Sequence, residues 1–150
     1  MEISDFLAPS GVFVGIRGSN KTQLLEDLCR RAASVLKIDA DKITADILKR
    51  EKLGSTGVGG GVAIPHARIA DVKKPFGIFA RLKSAIEFDA IDRQPVDLVF
   101  LLLLPTAPAA EQLNALALVA RRLRDADTTR NARRATDSPG LYAAMAQSSK

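Results

Sequence analysis

The chain has 150 residues, of which 47% are apolar and 26% are charged, and its formal net charge is +5. These values predict a single globular domain over residues 1–150 and argue against disorder throughout the chain. Because Cys29 and His66 are the only residues of their kinds, an internal disulfide and a typical zinc site of several cysteine and histidine ligands are excluded, and no cofactor is indicated. The chain lacks a signal-peptide pattern, and its longest apolar run, Leu98 to Leu104, is far shorter than the roughly 18 residues that span a bilayer, so we expect a cytoplasmic protein without membrane insertion.

A strand and a helix are predicted at the start of the chain. Residues 12–16 are rich in β-branched side chains and lie between glycines, which is typical of a short strand. Apolar residues recur at helical spacing over residues 21–36, with Asn20 as the expected N-cap and Gln23 placed as in a capping box. Cys29 lies beside the apolar face of this helix, which predicts a buried, inert thiol.

A second helix is expected to begin at Asp39 or Asp41 and to end near Lys52. Gly54 follows, and glycine suits the left-handed backbone that often ends a helix. We therefore predict a left-handed glycine at this helix end.

The glycine-rich segment that follows indicates a phosphate site. Five of the ten glycines lie within residues 54–61, and a short strand at residues 62–64 leads to Pro65 and His66. A neutral imidazole nitrogen can accept a phosphoryl group. Glycine backbone N–H groups can approach the phosphoryl oxygens closely, because no Cβ blocks them. The hydroxyls of Ser55 and Thr56 could donate as well.

From the residues alone, this interpretation competes with a structural histidine. The glycines are not followed by the Gly-Lys-Ser/Thr of a Walker loop, and no G-x-S-x-G elbow is present. Ser55 and Thr56 could simply cap turns. The two interpretations of His66 stay open at this point.

The second half of the chain predicts an α/β arrangement. Residues 76–82 alternate as in a strand, and residues 96–104 are almost continuously apolar, as in a strand buried on both faces. Helices are predicted at residues 111–125, 127–134 and 139–146. Strands and helices that alternate in this way favour an α/β sandwich with helices on both faces of a mixed sheet.

Basic residues concentrate near the C-terminus. An acidic partner or a nucleic acid could bind them, but acidic residues are interleaved and no aromatic side chains provide a stacking platform. We therefore interpret the cluster as a solvated helix face and expect no nucleic-acid partner. Its members are Arg121, Arg122, Arg124, Arg130, Arg133 and Arg134.

Three segments resemble the fructose/mannitol-type IIA family of the bacterial phosphotransferase system. The first runs from Arg50 to His66 and reads REKLGSTGVGGGVAIPH, and its Ala-Ile-Pro-His end is highly specific to the family. The others are residues 86–98, IEFDAIDRQPVDL, and residues 113–123, LNALALVARRL. The resemblance covers nearly the whole chain, and residues 86–98 look more like the nitrogen-regulatory branch than the sugar-transport branch.

The resemblance implies a three-layer α/β/α sandwich with a mixed β-sheet flanked by helices. It implies that His66 takes a phosphoryl group, on Nε2, from a histidine-phosphorylated carrier protein of the HPr type. Arg50 matches the active-site arginine that helps to hold this group. The nitrogen-regulatory branch acts through phosphorylation-dependent contacts with regulatory target proteins and transporters. The other residues predicted to bind the phosphoryl group are Ser55, Thr56, Gly59, Gly60, Gly61 and Gln112.

The chain departs from the family pattern at two positions. Gln112 stands where a second histidine is usual, and it can donate a hydrogen bond but cannot carry positive charge. Gly60 stands where asparagine is usual in the loop. Alternatives to a site role are an Arg50 that pairs with Asp46 on the helix surface and a Gln112 that is only a helix residue.

Other functions also remain open. A sugar-transport IIA component would pass the phosphoryl group to a cysteine of a IIB partner, whereas a binding module would no longer transfer it. The missing second histidine motivates the binding module, and the presence of His66 and Arg50 argues against it. A nucleic-acid binder would depend on the C-terminal arginines.

Overall fold

The computed structural model of the protein describes residues 1–107 and 109–146. None of the helices in these ranges is long and apolar enough to cross a membrane. Two 3-10 turns, Ile3–Asp5 and Pro9–Gly11, precede the first strand. The elements are then β1 (Val12–Ile16), α1 (Lys21–Leu36), α2 (Ala40–Lys52), β2 (Gly57–Gly59), β3 (Val62–Ala63), β4 (His66–Arg68), β5 (Phe76–Ile86), β6 (Val96–Leu104), α3 (Ala109–Arg124), α4 (Ala126–Arg134) and α5 (Ser138–Ala146).

The strands form one mixed sheet with the order β1-β5-β6-β3-β2. β6 is antiparallel to β5 and parallel to both β3 and β4, which follow each other along its other edge. β1 is parallel to β5, and β2 is antiparallel to β3. The break between β3 and β4 falls at Ile64 and Pro65, because a proline nitrogen has no hydrogen to give to a neighbouring strand.

Strand β6 carries the core of both faces of the sheet. Leu98, Phe100 and Leu102 lie in a buried cluster with side chains from α3, α4 and α5. Val99 and Leu101 lie in a second buried cluster, which includes side chains from α1 and α2. This alternation confirms both the strand buried on two faces and the α/β/α layering.

Helix α1 occupies the predicted range. Asn20 is its N-cap, and its side chain accepts a hydrogen bond of 2.9 Å from the Gln23 N–H. The Gln23 side chain in turn accepts from the Ser19 N–H at 2.9 Å, one residue upstream of the expected capping-box partner. Cys29 is fully buried in this helix, as predicted, and burial raises the pKa of its thiol to about 11, which disfavours the reactive thiolate.

The prediction of a left-handed Gly54 after α2 is wrong. Helix α2 starts after the N-cap Asp39 and ends at Lys52, but Leu53 closes it in right-handed conformation. The Gly54 N–H bonds the Glu51 carbonyl at 3.2 Å, so the chain continues in a tight turn without a positive φ angle. The left-handed residue in this part of the chain is Lys37, which ends α1 with φ 57°.

Other elements differ from the predictions in extent. β5 continues to Ile86 rather than ending at Leu82, and β2 lies within the glycine-rich segment where no strand was expected. His66 begins β4 rather than following the end of a strand. The three C-terminal helices appear in the predicted order, each shifted by one or two residues at its start.

Arg122, Arg130 and Arg133 of the C-terminal arginine cluster have partners among the residues that the structure describes. Arg122 donates to the carbonyls of Ala144 and Met145 and so ties α3 to α5. Arg130 pairs with Asp127 on α4. Arg133 reaches across to the sheet, as described below, so the cluster contributes to internal packing as well as to surface charge.

Candidate functional site

His66 lies on the outer side of β6, next to the C-terminal half of that strand. It is in register with Leu102, which faces the helices α3, α4 and α5. Its Nδ1 lies 2.7 Å from the carbonyl oxygen of Ile64. Because a carbonyl only accepts, Nδ1 must carry the hydrogen in the neutral ring, and Nε2 keeps its lone pair.

The surroundings favour a neutral imidazole. Burial lowers the pKa of His66 below its usual value and outweighs the hydrogen bond to Ile64, which acts in the opposite direction. The positive charge of Arg50 lowers this pKa further, and the negative charge of Glu51 partly offsets it. These effects favour the uncharged form of the ring, which is the form that can act as a nucleophile.

His66 opens into a cavity of about 600 Å³ between α2 and α3. Arg50 and Gln112 line the same cavity, as do two further cations, Lys49 and Arg68, and one acidic residue, Asp46. Its apolar wall is formed by Leu53, Leu104, Leu113 and Leu116. The cavity therefore combines a nucleophile with an excess of positive charge, which suits a dianionic group such as a phosphoryl group.

Arg50 sits in the last turn of α2 and folds back over the helix end. Its Nη1 donates to the carbonyl oxygen of Gly54 at 3.0 Å. No ion pair joins it to Asp46, although both side chains are within the described part of the chain. The alternative of a surface pair is therefore not observed, and the guanidinium keeps donors for a ligand.

Gln112 lies in the N-terminal part of α3 and is almost fully buried, with 6% of its surface exposed. It lines the cavity that holds His66 and Arg50. A helix N-terminus favours negative charge, so the position suits a residue that contacts a phosphoryl oxygen. Phosphoryl contact by Gln112 stays a prediction.

The structure does not place the other predicted residues in this cavity. The Ser55 hydroxyl donates to the Phe88 carbonyl at 2.6 Å, and the Thr56 hydroxyl donates to Glu51 at 2.6 Å. The Gly60 N–H donates to the Asp92 carboxylate at 3.0 Å. These bonds shape the loop and occupy the donors, so they give no support to phosphoryl contact. The residues outside the cavity are Ser55, Thr56, Gly59, Gly60 and Gly61.

The glycines instead allow a tight turn between β2 and β3. Gly59, Gly60 and Gly61 have φ angles of +99°, +67° and +78°. A Cβ on Gly61 would lie 2.6 Å from Nη2 of Arg133, which donates to the Gly60 carbonyl and pairs with Asp97. The segment therefore needs glycine for its left-handed backbone, and a side chain at Gly61 would also have to displace the Arg133 guanidinium.

Sequence reasoning missed the cations Lys49 and Arg68. Because a strand places residues i and i+2 on the same face, Arg68 in β4 lies on the face of His66. The two-residue spacing between His66 and Arg68 would have been enough to predict that both lie on one face of a strand. This prediction was not made, because the strand was expected to end before Pro65.

The comparisons with known proteins identify the family of the chain. Residues 5–148 match the family described as "Phosphoenolpyruvate-dependent sugar phosphotransferase system, EIIA 2". A nitrogen regulatory protein of Bradyrhizobium diazoefficiens is 42% identical over 146 residues, which cover 97% of this chain and 95% of that protein.

Solved structures have the same fold. The crystal structure of nitrogen regulatory protein IIA-Ntr from Neisseria meningitidis is similar with a TM-score of 0.90 and 31% identity, over 95% of this chain and 98% of that one. The IIA mannitol structure from Escherichia coli has a TM-score of 0.76 over 93% of this chain and 98% of that one, and at 18% identity it shows the fold alone. The family match, the identity to nitrogen regulatory proteins and the shared fold lead to one assignment: this chain belongs to the EIIA type 2 family of the phosphoenolpyruvate-dependent phosphotransferase system.

Proposed function

We propose that this chain is a cytoplasmic phosphocarrier that accepts a phosphoryl group on Nε2 of His66. The observation that carries the proposal is the 2.7 Å contact between Nδ1 and the Ile64 carbonyl, which leaves Nε2 as the unprotonated nitrogen beside a cationic cavity. The donor is a histidine-phosphorylated carrier protein of the HPr type.

The transfer is a displacement at phosphorus. The lone pair of Nε2 forms the new N–P bond, while the N–P bond of the carrier breaks and its electron pair returns to the carrier imidazole. Nδ1 of His66 keeps its hydrogen and its bond to Ile64. Phosphoryl transfer depends mostly on positioning and on charges near the phosphoryl oxygens. We assign the charges to Arg50, Arg68 and Lys49, and a neutral hydrogen bond to Gln112.

We infer that the phosphoryl group controls contacts with regulatory target proteins in nitrogen-related regulation. The names of the most similar relatives support this branch, since they are nitrogen regulatory proteins that match nearly the full chain. A sugar-transport component, which would pass the group to a cysteine of a IIB partner, is the second candidate. The sugar phosphotransferase description of the family supports it.

The decisive experiment is phosphorylation in vitro with phosphoenolpyruvate and the upstream carriers of the same organism. Wild type is expected to form an acid-labile phosphoryl adduct, His66→Ala none, and the control Arg30→Gln, an exposed change on α1, a normal one. An adduct that persists on His66→Ala would refute the assignment of the nucleophile. Absence of an adduct on wild type would favour the binding module that no longer transfers phosphate.

The branch can be tested with the phosphorylated protein. Incubation with a IIB protein of a fructose or mannitol system is expected to give no transfer to its cysteine. Efficient transfer to that cysteine would instead support the transport component.

A further inference from the structure

Glu51 is a carboxylate buried next to the site, and phosphoryl transfer as described above leaves it without a role. Only 7% of its surface is exposed, although it lies in the last turn of α2 beside the half-buried Arg50. A buried carboxylate is costly unless its oxygens are paired. Its partners therefore indicate what the position does.

Both carboxylate oxygens are engaged. Oε2 lies 2.7 Å from Nζ of Lys21 and accepts from the Thr56 N–H at 2.8 Å, while Oε1 accepts from the Thr56 hydroxyl at 2.6 Å. Lys21 also donates to the Phe88 carbonyl at 3.1 Å and lies 4.6 Å above the Phe88 ring. The carboxylate thus ties the start of α1 and the residue before β2 to the end of α2.

The hydrogen bonds continue from Thr56 to the imidazole. The Thr56 carbonyl accepts from the Ile64 N–H at 3.0 Å, and the Ile64 carbonyl lies 2.7 Å from Nδ1 of His66. Only two residues, Thr56 and Ile64, stand between the Glu51 carboxylate and the imidazole. Displacement of Thr56 would therefore move the carbonyl that orients the ring.

The same helix turn also fixes the cavity arginine. Arg50 and Glu51 are neighbours in α2. Arg50 donates a hydrogen bond to the carbonyl of Gly54, two residues before Thr56, which Glu51 binds. One helix end therefore sets the guanidinium directly and the imidazole through two residues.

We propose that Glu51 is a positioning residue for phosphoryl transfer: through Thr56 and Ile64 it holds the His66 ring with hydrogen on Nδ1 and with Nε2 free. The proposal rests on the proposed function for the identity of the reacting nitrogen. It also gives the Thr56 hydroxyl a role as a structural donor rather than a phosphoryl ligand.

The test uses Glu51→Gln, Thr56→Val and Thr56→Ser in the full chain. Glutamine loses the charge and one acceptor oxygen, valine removes only the hydroxyl, and serine keeps the hydroxyl. Asp27→Asn is the control, since it removes a carboxylate that pairs with Arg31 on α1 and does not line the His66 cavity. The folded state of each variant is checked by thermal unfolding.

The first readout is the ¹⁵N spectrum of His66 in the unphosphorylated protein, at a pH where the ring is neutral. Wild type is expected to show hydrogen on Nδ1, and Glu51→Gln a mixture of both tautomers. Thr56→Val is expected to show a smaller change, and Thr56→Ser the wild-type spectrum. A change confined to fold stability would leave these shifts untouched. The chain has a single histidine, so the signals belong to His66.

The second readout is the rate of phosphoryl transfer from the carrier. Glu51→Gln is expected to slow transfer about ten- to hundredfold, because small misplacement of a reacting group costs this much. The transfer rate of Thr56→Val is expected to lie between those of Glu51→Gln and wild type, and the rate of Asp27→Asn is expected to equal that of wild type.

The outcomes separate the two proposals. If wild type is phosphorylated but Glu51→Gln and Thr56→Val, both folded, keep the wild-type tautomer and rate, the positioning role is wrong and the phosphocarrier stands. If Glu51→Gln does not fold, Thr56→Val decides, since it leaves the Glu51 carboxylate paired with Lys21 and with the Thr56 N–H. If wild type forms no adduct, the proposal that the chain is a phosphocarrier is wrong. The tautomer spectra alone then test whether Glu51 orients the His66 ring.

Discussion

Nδ1 of His66 lies 2.7 Å from the carbonyl oxygen of Ile64, two residues earlier in the chain. This contact fixes which imidazole nitrogen is free, and Pro65 between the two residues limits how the backbone can change. The nucleophile and the group that orients it are thus built into one short segment, Ile64 to His66, and the rest of the fold has to hold that segment in place.

The pH dependence of transfer should follow His66. Burial and Arg50 lower its pKa below the usual 6.5. Since only the neutral ring attacks phosphorus, the transfer rate should rise with pH and level off above a midpoint that lies below 6.5. Single-turnover rates from acid to neutral pH, together with an NMR titration of the single histidine, would measure both midpoints. A midpoint at or above 6.5 would contradict the assigned environment.

The same shift has a consequence for stability. The unfolded chain takes up a proton on His66 at a higher pH than the folded chain does, because the folded pKa is lower. The free energy of unfolding should therefore fall as pH drops below 6.5 toward the folded pKa. Denaturant titrations of wild type and His66→Ala at several pH values would isolate this contribution. If the free energy of unfolding had the same pH dependence in both proteins, His66 would make no such contribution.

Arg50 should matter through its charge and through its planar donors. Arg50→Gln is expected to slow transfer about a hundredfold, as removal of one well-placed donor does in other sites. It should also raise the pKa of His66, because Arg50 lowers it. Arg50→Lys is expected to restore that pKa but only part of the rate, since lysine lacks the two-pronged geometry. Equal rates for Arg50→Lys and wild type would argue that charge alone is required.

Arg68 is predicted to stabilise the phosphorylated state. Its guanidinium lines the His66 cavity and has no hydrogen-bond or ion-pair partner within the described residues. Arg68→Gln should therefore shorten the lifetime of the adduct, by about tenfold if it donates to a phosphoryl oxygen. The matched control is Arg30→Gln. Equal adduct lifetimes for the two variants would show that Arg68 stays in solvent.

Local signals predicted much of the fold, and tertiary contacts explain the rest. The Asn20 cap and the helical spacing were sufficient for α1, and continuous apolar sequence was sufficient for β6. Strand β2 carries no such pattern, and it is seen only through its pairing with β3. Glycine at position 57 is explained by Ala90, whose Cβ would lie 2.8 Å from a Cβ on Gly57.

The same distinction between local signals and tertiary contacts applies to the candidate site. His66, Arg50 and Gln112 were named from sequence, and the structure places all three at one cavity. The role of Thr56 could not be predicted, because its hydroxyl is bound by a buried carboxylate five residues earlier that the sequence presents only as a charged helix residue.

Gln112 is one of the two positions at which the sequence departs from the pattern of the family it resembles, and its replacement is informative. Gln112→His would place an ionisable ring in the buried wall of the cavity. A protonated imidazole would donate to the phosphoryl group with charge, so transfer should accelerate, or hydrolysis of the adduct should slow, by about tenfold. Rapid-quench kinetics and the decay of the adduct measure the two effects. Identical rates for both proteins would make this position irrelevant to the chemistry.

Two glycines of the same segment should respond in opposite ways to alanine. Gly61 has φ +78°, and a Cβ there would lie 2.6 Å from Arg133 and 3.0 Å from Asp97, so Gly61→Ala must strain the backbone and displace the contact with α4. We expect a loss of about 1–3 kcal/mol in the free energy of unfolding.

Gly54→Ala is the matched control, because nothing lies within 4 Å of its Cβ position and its φ is not positive. Alanine there reduces the entropy of the unfolded chain, so stability should be unchanged or higher by up to about 1 kcal/mol. Urea denaturation of both variants provides the comparison. If Gly61→Ala were as stable as Gly54→Ala, the left-handed backbone and the Arg133 contact would not be what requires glycine at position 61.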